Sequence, residues 1–124
     1  MHEDDVVSLA IHPDKDIAAT GQRAAAGKAK MVDILVWRIS TQEVLARLTG
    51  FHRRAVSVLK FSPNGQKLLS IGQDEHHSVA VYDWMNQVLL STARGGSDKV
   101  FDAAWKNNSE FMAVDGKQAQ FFVL

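Results

Sequence analysis

The chain has 124 residues, 46% of them hydrophobic, which suits one ordinary soluble domain with its own core. Lys plus Arg is 14 and Asp plus Glu is 14, so no global field argues for nucleic acid or a membrane surface. The absence of cysteine excludes disulfides and thiolate zinc sites and favours a reducing compartment.

Short apolar or β-branched runs separated by turn residues predict strands throughout. The acidic start, Met1-His-Glu-Asp-Asp, has no apolar run behind it and does not read as a secretory signal. No apolar stretch is long enough to span a bilayer. Residues 6–11 predict the first strand. His12-Pro13-Asp14-Lys15-Asp16 is a turn in which proline presets φ. Residues 17–20 follow, ending at Gly21, then 33–39 and 44–49. The series restarts with 56–61, the turn Ser62-Pro63-Asn64-Gly65, and then 67–71, 78–82 and 88–93. Residues 100–105, 110–114 and 120–124 begin a third set, which stops before a fourth strand.

These sets repeat. His2 through Val6, Ile11 and Pro13 is matched by His52 through Val56, Phe61 and Pro63. Residues 96–107 keep the apolar spacing without the His and Pro. Four antiparallel strands at a period of roughly 40–45 residues mark a propeller blade. The expected fold is therefore all-β, with consecutive four-stranded blades in an incomplete ring. The expected units are residues 1–50, 51–95 and a partial third blade at 96–124. The stretch from Thr20 to Trp37 is five residues longer than that from Ser70 to Tyr82, and this insertion predicts a surface loop. A ring takes about four to eight blades, so other blades or chains are expected to complete it.

The pattern resembles the WD-repeat family. Its signature positions are occupied by His2, Thr20 and Trp37 in the first unit and by His52, Ser70 and Tyr82 in the second. The resemblance implies a hydrogen-bonded brace across each blade, with Asp74 holding a turn. The terminal dipeptide is degenerate: Trp37-Arg38, Tyr82-Asp83 and Val123-Leu124. A narrower resemblance is to the echinoderm microtubule-associated protein-like family. It is carried by His12-Pro13-Asp14-Lys15, by Gly50-Phe51-His52-Arg53-Arg54-Ala55-Val56, by the run from Leu69 to Trp84, and by Lys99 to Trp105. Neither a heptad pattern nor the hydrophobic motif of that family's first propeller is present. The resemblance implies a non-catalytic scaffold with protein partners, tubulin or microtubules foremost. It also implies a cytoplasmic, cytoskeletal location, with the cilium or axoneme included. The alternative is a generic WD-repeat adaptor for another protein or peptide.

Sharper chemistry is weighed against this. Asp74-Glu75-His76-His77 has metal-ligand residue types, but neighbours on an extended segment face opposite ways. No metal or other cofactor is expected. His52, Ser70 and Asp74 could be imagined as a hydrolytic triad, yet no strand–nucleophile–helix turn accompanies them. Gly21, Gly27, Gly72 and Gly95-Gly96 read as turns. Arg53 and Arg54, with Lys28 and Lys30 on the insertion, are candidate partner-facing cations for an acidic surface; their plain reading is solvated loops.

Overall fold

A computed structural model describes residues 5–23, 32–49, 51–52, 54–73, 77–95 and 100–124. His2, Lys28, Lys30, Arg53 and Asp74 lie outside them, as do Glu75 and His76. Eleven strands are described. β1 (Asp5–Ile11), β2 (Ile17–Arg23), β3 (Ile34–Arg38) and β4 (Glu43–Leu48) form one antiparallel sheet in sequence order. β5 (Val56–Phe61), β6 (Lys67–Gly72), β7 (Val79–Asp83) and β8 (Val88–Ala93) form a second. β9 (Val100–Trp105), β10 (Glu110–Asp115) and β11 (Ala119–Val123) form a third of three strands.

The sheets repeat in detail. The first strand of each carries a bulge near its start, between Val6 and Ser8, between Val56 and Val58, and opposite the Val114/Asp115 step. The outer strands β4 and β8 carry another, which leaves Leu45 and Leu90 as the extra residues. Turns repeat too: Lys15 and Gly65 share a left-handed φ of 70° and 76°, and Gln42 and Gln87 share 60° and 56°.

Period-2 alternation explains how the sheets stack. In the middle sheet, Leu59, Leu68, Ala80 and Tyr82 pack on the first sheet, against Ala19, Ile34, Val36 and Ala46. Their neighbours Val58, Leu69, Val79 and Val81 turn the other way, onto Val100, Ala103, Phe111 and Ala113 of the third. Two separate cores therefore flank β5–β8. The inner strands sit side by side, and Ser8 Oγ donates to the Val56 carbonyl at 2.7 Å.

Two expectations are corrected. Gly21 and Gly72 are not turns. β2 continues to Arg23 because Gly21, Gln22 and Arg23 keep pairing with Ser8, Val6 and Asp5, and β6 likewise continues to Gly72 opposite Val56. The third blade's equivalent of Trp37 and Tyr82 is Phe122, not Val123. Phe111 pairs with Phe122 as Leu68 pairs with Tyr82 and Ala18 with Trp37. The strand starts early because Asp115 closes a tight turn, its Oδ1 accepting the N–H groups of Lys117 and Gln118 at 2.8 Å.

Candidate functional site

In the second blade, β6 is the centre of the sheet, and Ser70 lies between Leu59 of β5 and Ala80 of β7. Ser70 is fully buried and His52 is 3% exposed. His52 Nε2 and Ser70 Oγ are hydrogen-bonded at 2.6 Å. The imidazole is seated from two sides. The Phe51 ring meets it edge-on, with centroids 4.8 Å apart. Gly72 makes room on the other side, since a Cβ there would stand 2.6 Å from His52 Nδ1. A serine so enclosed offers no path for a substrate carbonyl to reach Oγ, so the pair links the incoming loop to the middle strand.

In the first blade the other half of the pattern is visible. Trp37 Nε1 donates to Thr20 Oγ1 at 2.8 Å, joining β3 to β2. Indole suits this place because it donates one hydrogen bond while its ring packs. Tyr82 holds the same register in the second blade. Its ring sits in the core with Leu68 and Trp84, and burial pushes its hydroxyl pKa up to about 12. In the third blade Phe122 and Ala113 stand at these places. Neither offers a side-chain hydrogen bond, and Phe122 instead stacks on Phe111 at 4.8 Å.

The seam between the first two blades holds a lock that the repeat pattern does not announce. The Gly65 carbonyl accepts from both Trp84 Nε1, at 2.7 Å, and His12 Nε2, at 2.9 Å. The Asp14 N–H donates to His12 Nδ1, which matches an Nε2–H tautomer. The rings of Phe61 and Trp84 meet His12 edge-on at 5.1 and 5.9 Å. Glycine at 65 is required by space, since a Cβ would collide with the His12 ring, and it also relieves the strain of a φ of +76°, a conformation that Lys15 holds in the matching turn. Trp84, two residues past Tyr82, was the available signal, a tryptophan in the β7–β8 turn that reaches the glycine of the β5–β6 turn. A cavity of about 470 Å³ opens beside this lock, between Leu45, Arg38, Gln66 and Met85. On the far side of the middle blade, Trp105 Nε1 donates to the Lys60 carbonyl at 3.1 Å.

The base of the insertion is also fixed. The Gln22 side chain accepts from the Asp33 N–H at 2.6 Å, and the Val32 N–H donates to the His52 carbonyl at 2.9 Å. Arg47 pairs with Asp33. Of the partner-facing candidates, Arg54 is exposed at the end of the β4–β5 link, with φ of 64°. Among the described residues, no three His, Cys, Asp or Glu side chains come together as a metal site.

No family model matches the chain. The chain is 30% identical, over 128 residues, to echinoderm microtubule-associated protein-like 1 of Rattus norvegicus and of Homo sapiens, which covers 98% of it. It is 37% identical over 106 residues, 80% of its length, to the 77 kDa echinoderm microtubule-associated protein of Strongylocentrotus purpuratus. The chain is a homologue of the echinoderm microtubule-associated protein-like proteins. It spans only 16% of the first relatives' length and 15% of the sea-urchin protein's. Among solved structures, the C-terminal WD40 domain of Sif2 superposes with a TM-score of 0.76 at 17% identity. That likeness covers 95% of this chain and 31% of that one, and it establishes the WD40 propeller fold.

Proposed function

We propose that this chain is a non-catalytic WD-repeat scaffold portion that associates with microtubules at the cytoskeleton. The observation that carries the reading is the identity of 30–37% with proteins named for microtubule association, over 80–98% of the chain. The geometry supports the non-catalytic part, because the His52–Ser70 pair of the middle blade is sealed inside the sheet.

Tubulin as the direct partner is the finer part of the proposal. Its physical route is positive loop residues meeting an acidic surface, with Arg54 exposed and Arg53, Lys28 and Lys30 as sequence candidates. Exposed charges are screened over about 8 Å at physiological salt. Co-pelleting of the chain with microtubules should therefore occur and weaken as salt rises. It should weaken further when Arg53 and Arg54 are both replaced by Glu. Undiminished, salt-insensitive pelleting of that variant would remove the charge route. No pelleting by the unaltered chain would remove tubulin and leave an adaptor for a different protein.

A further inference from the structure

Asn64–Gly65 is the one Asn–Gly step in the sequence, and it lies in the β5–β6 turn. Asn64 is exposed, whereas Gly65 is buried. The Asn64 side chain is held in a set pose. Its Oδ1 accepts from Ser62 Oγ at 2.8 Å and from the Gln66 N–H at 3.0 Å. Its Nδ2 donates to Gln66 Oε1 at 3.3 Å. The Lys67 N–H donates to Ser62 Oγ at 3.0 Å, which leaves the serine proton for Asn64. Two donors on one carbonyl oxygen draw charge from Cγ and steady the negative oxygen that forms when that carbon is attacked. The nitrogen that closes a small ring on Cγ is the main-chain nitrogen of Gly65, and glycine brings no Cβ to crowd the approach. Its N–H is held by the Ser62 carbonyl at 2.8 Å, so the turn first gives up this bond. The same turn ties the three blades together. The Gly65 carbonyl accepts from His12 Nε2 of the first and from Trp84 Nε1 of the second. The Asn64 N–H donates to Asn108 Oδ1 in the β9–β10 turn of the third.

We propose that Asn64–Gly65 is a self-modifying site, whose conversion to isoaspartate unlocks the seam between the first two blades. The Gly65 nitrogen gives its proton to water and bonds to Asn64 Cγ. The side-chain amide leaves as ammonia, and the product is a cyclic succinimide. Water then opens one of the two ring C–N bonds. Cleavage at the Asn64 main-chain carbonyl routes the chain through Cβ and Cγ and leaves a carboxylate on Cα, which is isoaspartate. Cleavage at Cγ gives ordinary aspartate. Nothing is oxidised or reduced. The isoaspartyl link lengthens the main chain by one methylene just before Gly65, and so carries its carbonyl off both donors. Ordinary aspartate keeps the main chain unaltered and keeps oxygens for Ser62 and Gln66. Asp115–Gly116 is a related step with different chemistry. The N–H groups of Lys117 and Gln118 hold the Asp115 carboxyl below the usual carboxylate range, and an ionised carboxylate is a poor electrophile.

The test keeps the intact, isotope-labelled chain folded in mildly alkaline buffer at body temperature and samples it over weeks. Peptide mapping should show the mass gain of amide-to-acid exchange at residue 64, in a form that an Asp-specific protease does not cut. Indole N–H resonances report the lock, because Trp84 donates to the Gly65 carbonyl and Trp105 to that of Lys60. In the converted chain the Trp84 signal should leave its native position and the Trp105 signal should stay. Asn64→Gln, which would need a larger ring, should show no gain at residue 64. Asn64→Asp should hold the Trp84 signal in place. No conversion at residue 64 in the folded chain, over a period in which the urea-unfolded chain converts, would overturn the proposal. So would an equal gain at residue 64 in Asn64→Gln, or an unmoved Trp84 signal in the converted chain. Displacement of that signal in Asn64→Asp as large as in the converted chain would overturn it as well, since the added methylene would then not be the cause.

Discussion

His52 and Ser70 show how much a single buried pair can decide. Both are polar, both are sealed from water, and each is satisfied in part by the other. Ser70→Ala should lower stability by about 1–3 kcal/mol, the cost of leaving a buried polar group unmatched. Denaturant unfolding of the variant checks this, and a shift within about 0.5 kcal/mol, as for an ordinary surface change, would refute the brace. Tyr82 gives a second residue-scale test, because it is the only tyrosine. Burial disfavours its tyrosinate, so its pKa rises from 10.0 to about 12 in the folded chain. The stabilising contribution is complete below the unfolded value near 10. It is lost as pH rises through the folded value. Tyrosinate absorbance should therefore lag that of the unfolded chain and rise together with alkaline unfolding. Titration near 10 with the fold intact would mean the ring is not enclosed.

At the scale of elements, the turns do the joining. The 62–65 turn reaches out of its own blade: its Gly65 carbonyl receives His12 from the first sheet and Trp84 from the second. Gly65→Ala should cost at least about 1–2 kcal/mol from the left-handed backbone alone, and more once the His12 ring is displaced. Gly116, exposed and without a positive φ, is the control, and Gly116→Ala should stay within about 0.5 kcal/mol. Equal melting shifts for the two variants would show that the seam lock contributes nothing. The strand positions were readable from alternation. The lock was not, because His12 corresponds in the repeat to Ser62 and has no counterpart there to advertise its role.

At the scale of the whole molecule, among the described residues, the middle sheet is packed on both faces. Amides of β6 and β7 should therefore exchange most slowly, and those of β1 and β11 faster, since opening energies follow local packing. Hydrogen exchange checks the order; uniform protection across all three sheets would contradict it. Leu68→Ala and Leu69→Ala, neighbours that feed opposite cores, should each cost about 2–5 kcal/mol. The sequence by itself determined the strand count, the blade period, the five-residue insertion and the positions of His52, Ser70, Thr20 and Trp37, because period-2 patterning and turn residues act locally. It also carried the family resemblance, since identity with relatives is a property of residues in order. Tertiary structure alone decided that Gly21 and Gly72 lie within strands, that Phe122 takes the aromatic place in the third blade, and that Trp84 and His12 share one carbonyl. These depend on which residues meet across a register or a seam, and strand pairing sets that only once the sheets have formed and stacked.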